Sequence, residues 1–424
     1  MYCPKLITAL KGYNRQMLVT DITAGIIVGI IALPLSIALA ISSGVSPEVG
    51  LHTAIIAGFF ISLMGGSRVQ IGGPTGAFVV IVFGIIEKYG LSGLIIAGIM
   101  AGIILILMGL FKLGALIKFV PSSITAGFTN GIAIVIFLTQ VKDLLGLTVS
   151  KVPSEALGKL VCYGKNISTV NIGSIVVSAI ALAVIIFWPK INKKIPGSLI
   201  AIIITTLLVT FIPFGVSTIG ATYGEIPSAL PKFTIPQVNL QLIIQLLPSA
   251  FTIAFLAAIE SLLSAVVADK MIDDESDANA ELIGQGVANI MTGFFGGIPA
   301  TGAIARTAAN VKNGGRSPIA GLVHSVTLLI ILVSLMPFAK YIPLACLGAV
   351  LAVVSYNMGD WTVFAQMFKK KNKTQFIVMM ITFVLTIFLD LVYAIIVGVV
   401  LYLIGISVLM IRKRKHKAVL SVAE

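Results

Sequence analysis

Apolar residues in this chain come in long unbroken runs, near 22–42, 51–66, 75–87, 91–111, 119–141, 171–188, 196–213, 242–268, 280–296, 302–311, 318–338, 342–357, 375–389 and 391–411. Polar residues are largely confined to the connectors between them. A half-solvated strand alternates apolar and polar side chains, and so does a strand of a membrane β-barrel. Unbroken runs instead predict helices that are apolar all round, and about 20 such residues cross a bilayer. The pattern therefore predicts an all-α polytopic membrane protein with fourteen transmembrane segments. The runs 75–87 and 302–311 are the shortest and fall well below a full span. The first run is too long for a cleaved signal peptide, and further apolar runs follow it.

Composition agrees. Of 424 residues 58% are hydrophobic and 11% charged, with a mean hydropathy of +1.09. A soluble domain carries roughly 25% charged residues, so a soluble enzyme is excluded. The net charge of +13 invites a nucleic-acid partner. The basic residues instead cluster in short connectors, as at Lys369-Lys370-Lys371 and Arg412-Lys413-Arg414-Lys415. That distribution marks cytoplasmic loops of a membrane protein and lipid contact. Cys3, Cys162 and Cys346 lie far apart, and no CxxC, HExxH or paired Cys/His spacing occurs. Neither a disulfide framework, a metal site nor a cofactor is indicated.

With the N-terminus inside, 21 of the 29 basic residues fall in inside segments and seven outside, while Arg306 lies within a span. This bias predicts both termini on the cytoplasmic side and an even number of spans in the cytoplasmic membrane. The polar 142–170 stretch becomes the main outside loop.

The two halves resemble each other. Gly73-Pro74-Thr75-Gly76-Ala77 recurs as Pro299-Ala300-Thr301-Gly302-Ala303, and Phe119-Val120-Pro121 recurs as Tyr341-Ile342-Pro343. The first prolines are 225 residues apart and the second 222. The expected division is a first repeat over 1–215, a linker over 216–240, a second repeat over 241–411 and a basic tail over 412–424. Seven segments per repeat is an odd number, so the second copy enters the membrane from the opposite side. Inverted repeats of this kind belong to secondary transporters, whose substrates bind where short, Gly/Pro-interrupted segments of the halves meet.

Each repeated motif predicts a half-helix that starts inside the membrane after a short extended stretch. Pro74 suits a helix start, which leaves the amides of Gly76, Ala77 and Phe78 free. In the second copy Gly296 to Thr301 is expected to be extended, with Thr301 capping a helix whose free amides belong to Gly302, Ala303 and Ile304. Two facing helix N-termini make a positive, small-residue site for an anion. Tight helix packing is the competing use of the same small residues.

Charges at span centres are few. Glu260 lies deep in the 242–268 run, where an ionised carboxylate costs several kcal/mol and is functional by default. Ser264 shares its helix face at i+4. Arg306 follows Gly302 by four residues and is expected to pair with the anion, or with Glu260 as a structural ion pair. Asp21, Glu87, Asp143, Asp269 and Asp390 sit near run ends and are expected to be interfacial charges.

These residues resemble the SulP family, the sulfate permeases related to solute carrier family 26. The resemblance runs through Gly65-Gly66-Ser67-Arg68-Val69-Gln70-Ile71-Gly72-Gly73-Pro74-Thr75-Gly76-Ala77 and Ile259-Glu260-Ser261-Leu262-Leu263-Ser264-Ala265. It continues through Gly296-Gly297-Ile298-Pro299-Ala300-Thr301-Gly302-Ala303-Ile304-Ala305-Arg306-Thr307 and Gly314-Gly315-Arg316-Ser317-Pro318. It implies two inverted seven-segment repeats folded into UraA-like core and gate domains, with half-helices in segments three and ten. It also implies an elevator motion of core against gate, a homodimer, and transport of sulfate, bicarbonate, chloride or a dicarboxylate by symport with H⁺ or Na⁺. The substrate-binding set is Thr75, Gly76, Ala77, Phe78, Ala300, Thr301, Gly302, Ala303 and Arg306, and the ion-coupling set is Glu260 and Ser264. No counterpart of the family's usual cytoplasmic STAS domain is expected within these residues. Leu33-Pro34-Leu35-Ser36-Ile37-Ala38 departs from the Pro-Gln-Gly-x-Ala-Tyr of many sulfate carriers, which keeps bicarbonate and dicarboxylates open beside sulfate. An anion channel or exchanger on the same fold and a uracil/xanthine-type carrier stand as alternatives. A membrane enzyme does not, because no nucleophile–base pair, metal cluster or cofactor motif is present.

Overall fold

A computed structural model describes residues 2–388 apart from 116–121, 150–151, 154, 193–194, 238 and 370–372, together with residue 397. The helices are α1 (Lys5–Ala9), α2 (Arg15–Ser42), α3 (Pro47–Met64), α4 (Val79–Leu110), α5 (Ser122–Leu145), α6 (Ala156–Lys165), α7 (Ile172–Ile191) and α8 (Gly197–Phe211). They continue with α9 (Ile219–Tyr223), α10 (Leu240–Ile272), α11 (Ala278–Phe294), α12 (Ile304–Lys312), α13 (Ile319–Leu335), α14 (Leu344–Met358), α15 (Trp361–Lys369) and α16 (Lys373–Phe388). Two short strands, β1 (Gly72–Gly73) and β2 (Thr301–Gly302), complete the described residues.

Each apolar run up to residue 389 coincides with a helix or part of one. The runs 75–87 and 91–111 both lie on α4, which breaks at Gly90 with φ 68° and ψ −175°. A side chain at that φ would be strained, so a glycine makes the break possible. The 391–411 run apart from residue 397, the tail 412–424, Asp390 and the Phe119-Val120-Pro121 motif lie outside the described residues. Helix starts are set locally. Asn14, Asn171, Asn239 and Asp277 each accept backbone N–H groups of the first turn of α2, α7, α10 and α11, relieving donors that have no partner within the helix.

Packing divides the helices into two bodies. One gathers α2, α3, α4, α10, α11, α12 and α13, and the other α5, α7, α8, α14 and α16. These are the core and gate of the fold. Within the core α4 and α11 cross so closely that a Cβ on Gly102 would sit 2.6 Å from the Gly286 carbonyl oxygen. A Cβ on Gly286 would meet the Gly102 oxygen in turn. Here the small residues serve packing, as they do between membrane helices. Large apolar side chains such as Phe111, Ile172, Ile191 and Phe211 face outward, as suits a lipid-covered surface.

The two short strands pair antiparallel, Gly72 with Gly302 and Gly73 with Thr301. They come from opposite halves and cross at the centre of the core.

Asp21 corrects an expectation. It is not an interfacial charge but fully buried. Its carboxylate accepts hydrogen bonds from the Tyr13 hydroxyl, the Arg316 and Ser317 amides and the Ser317 hydroxyl. Three of those four donors arrive from the far half of the chain, and together they replace the water expected at a span end.

Candidate functional site

The first half-helix starts as anticipated, but two residues later than Pro74. Thr75 is the cap, and its Oγ1 accepts the Ala77 N–H at 3.4 Å. A short 3-10 turn over Gly76–Phe78 then leads into α4. The Phe78 amide bonds to the Thr75 carbonyl and its ring is buried in the core. Among the described residues, only the Gly76 amide of that turn has no partner.

The second half-helix is shifted. Thr301 and Gly302 form β2, and α12 begins at Ile304 with Ala303 at the cap position. Thr301 is therefore not a helix cap. Its hydroxyl instead donates to the Ala257 carbonyl and contacts the Ser261 hydroxyl. The Gly302 amide donates to Ser261 Oγ at 3.1 Å and the Ala303 amide to the Ile71 carbonyl at 2.9 Å. Two of the three amides expected to be free are thus consumed, one by α10 and one by the first half. Those left open belong to Ile304, Ala305 and Arg306, and Ile304 is 42% exposed. Ala300 is buried, with its N–H and C=O both held by the Asn289 side-chain amide.

Arg306 is 3% exposed and folds back across the strands. Its Nη1 donates to the Gly72 carbonyl at 3.1 Å and its Nη2 to the Pro74 carbonyl. Gly73, at φ 149°, leaves the room that the guanidinium occupies, since a Cβ there would collide with Nη1. The ion pair with Glu260 that stood as the alternative does not form: the guanidinium is held by the two backbone carbonyls.

Glu260 reaches the site from α10. Its Oε1 accepts the Thr75 hydroxyl at 2.7 Å, while its buried Oε2 has no partner. Ser264, one turn on, donates to Thr307 Oγ1 at 3.3 Å and not to Glu260. Thr75, Gly76, Thr301, Arg306 and Glu260 therefore meet around the β1–β2 crossing, with Ser264 behind it.

The sequence reading missed Glu281. It is fully buried on α11, yet its carboxylate takes the Gly66 and Ser67 amides at 2.8 and 3.1 Å and the Gln70 and Gln285 side-chain amides at 2.8 Å each. A carboxylate inside the 280–296 run was signal enough to single it out. The two carboxylates differ in kind. Protonating Glu281 would set an O–H against a donor, whereas Glu260 has an oxygen with nothing bound to it.

Comparison with known proteins gives one answer. The chain matches the sulfate permease family over residues 18–382. YvdB of Bacillus subtilis (strain 168) is 48% identical over 392 residues, covering 92% of this chain and 74% of that protein. The bicarbonate transporter BicA of Picosynechococcus sp. is 32% identical over 390 residues, covering 89% of this chain and 68% of BicA. The solved transmembrane domain of a cyanobacterium bicarbonate transporter BicA shares the fold at a TM-score of 0.79 and 29% identity, covering 92% of this chain and 98% of that one. The chain belongs to the sulfate permease family of membrane anion transporters, the family its motif strings resemble.

Proposed function

We propose that this member of the family is a secondary active transporter that moves sulfate, bicarbonate or a dicarboxylate across the cytoplasmic membrane by H⁺ symport. The observation that carries the proposal is the juxtaposition at the strand crossing. The Glu260 carboxylate, whose Oε2 is unpartnered, bonds to Thr75 next to the open Gly76 amide, and the β1–β2 pair joins that helix start to the one with open amides at Ile304–Ala305. Helix N-termini favour an anion electrostatically. An ionised Glu260 opposes one by like-charge repulsion. A proton taken up at Oε2 removes that repulsion while the Thr75 hydroxyl stays on Oε1, so proton and anion bind together.

Core and gate then move against each other as in an elevator, carrying the crossing from one side to the other. The termini lie in the cytoplasm, and the protein works as a homodimer. Bicarbonate is supported by the likeness to BicA, and sulfate by the family match.

The test is uptake of labelled sulfate, bicarbonate and fumarate into proteoliposomes under imposed H⁺ or Na⁺ gradients. Accumulation above equilibrium driven by an inward H⁺ gradient is expected. Equilibration without accumulation would make the protein a channel. Uptake driven only by a trapped counter-anion would make it an exchanger.

A further inference from the structure

Glu281 bonds to none of the open amides, yet hydrogen bonds through Gln70 and Ser261 link it to Gly302, two residues before the first open amide of α12. Its Oε1 takes Gln70 Nε2 at 2.8 Å, and the same nitrogen donates to the Ser261 carbonyl at 3.2 Å. The Ser261 hydroxyl holds the Gly302 amide and touches Thr301. Gln70 also lies flat against Gly302, where a Cβ would collide with its Nε2, Cδ and Cγ atoms. The side chain of Gln70 is thus clamped between α11, α10 and β2, and β2 runs through Ala303 straight into α12. Glu281 Oε2 holds the other end of the segment by binding the Gly66 and Ser67 amides. One carboxylate therefore fixes both ends of the extended stretch that leads into β1, and through Gln70 it braces β2.

We infer that Glu281, acting through Gln70 and Ser261, is a positioning residue that sets where the open amides of α12 stand relative to Gly76. The role rests on the reading that the anion sits between those helix starts. The chemistry is particular to a carboxylate beside an amide. An amide at 281 turns one acceptor into a donor that faces Gln70 Nε2. A carboxylate at 70 faces the carboxylate of 281. Making both changes together restores one donor facing one acceptor between 281 and 70, and the remaining oxygen at 281 still takes the Gly66 and Ser67 amides, but the Ser261 carbonyl and Gln285 Nε2 lose the partners they have now.

The experiment compares wild type, Glu281→Gln, Gln70→Glu and the double variant in lipid nanodiscs. Binding of sulfate, bicarbonate and fumarate is measured by calorimetry, uptake kinetics in proteoliposomes, and amide exchange over residues 298–307 by mass spectrometry. Each single variant is expected to weaken anion affinity tenfold or more and raise the uptake KM by a similar factor, with maximal rate changed less than threefold. Exchange over 298–307 should speed up in both. The double variant should recover part of the affinity and the protection. Equal affinity and exchange in wild type and single variants would overturn the role, as would a double variant no better than the worse single one.

If Glu281→Gln fails to fold, Gln70→Met keeps the length of the side chain and removes its donor, and the same losses are expected. If wild type binds none of the three anions, the anion-site reading fails by itself. The exchange pattern then decides the bracing role alone.

Discussion

Removing the Arg306 guanidinium separates two accounts of that residue. The side chain is 3% exposed, and two of its nitrogens are spent on the Gly72 and Pro74 carbonyls. Arg306→Ala would leave both oxygens buried and unpaired beside β1. A hydrogen bond to a charged group is worth about 1.5–3 kcal/mol, so losing two costs about 3–6 kcal/mol. At about 2.1 cal/mol/K for each residue, the 424-residue chain unfolds with an entropy near 0.9 kcal/mol/K. The expected fall in thermal midpoint is therefore about 3–7 °C. Arg306→Lys keeps the charge but offers a point donor in place of a planar fork, so roughly half the loss is expected. The assay is thermal unfolding of detergent-purified variants, run beside anion calorimetry. A wild-type midpoint in Arg306→Ala together with abolished anion binding would refute the reasoning, because the guanidinium would then serve the ligand and not the strand.

Further outcomes follow from other contacts. Glu260→Gln keeps an acceptor for Thr75 but cannot exchange a proton, so proton-driven accumulation should vanish while anion exchange persists; undiminished concentrative uptake would remove the proton from Glu260. Thr75→Ser should transport normally because its hydroxyl can still reach both Glu260 and the Ala77 amide, whereas Thr75→Val should lower transport tenfold or more; a fully active Val variant would sink the cap-and-carboxylate link. Gly286→Val places a side chain against the Gly102 carbonyl and should prevent recovery of monodisperse protein; a normal elution profile would contradict the close crossing. Lys159 on α6 is 4% exposed with its Nζ 5.9 Å above the Phe83 ring, and burial pushes its pKa down to about 8 against the opposing pull of Glu87. Between pH 8 and its ordinary value of 10.5 the unfolded chain binds the extra proton, so wild-type stability should rise with pH across that window. Lys159→Met removes the titrating group, so the rise in stability across that window should disappear in its unfolding scans; an equal rise in the Met variant would disprove the buried charge.

That the described apolar runs are helices is written in their hydropathy. In a bilayer each backbone amide must find its partner within its own segment, so the decision is local and sequence suffices. The paired Gly/Pro motifs and the depth of Glu260 within its run were legible in the sequence as well. What sequence could not decide is where the second half-helix begins. Thr301 looks like a cap by local rules, but β1 lies more than two hundred residues away and draws Thr301 and Gly302 into a strand, which moves the open amides to Ile304 and Ala305. The charged residues follow the same logic. Whether Asp21 meets water or four donors, whether Arg306 meets an anion or two carbonyls, and whether Glu281 is a liability or a brace depend mostly on groups supplied by the opposite half of the chain. A buried charge is settled by its partners, and only the tertiary fold supplies them.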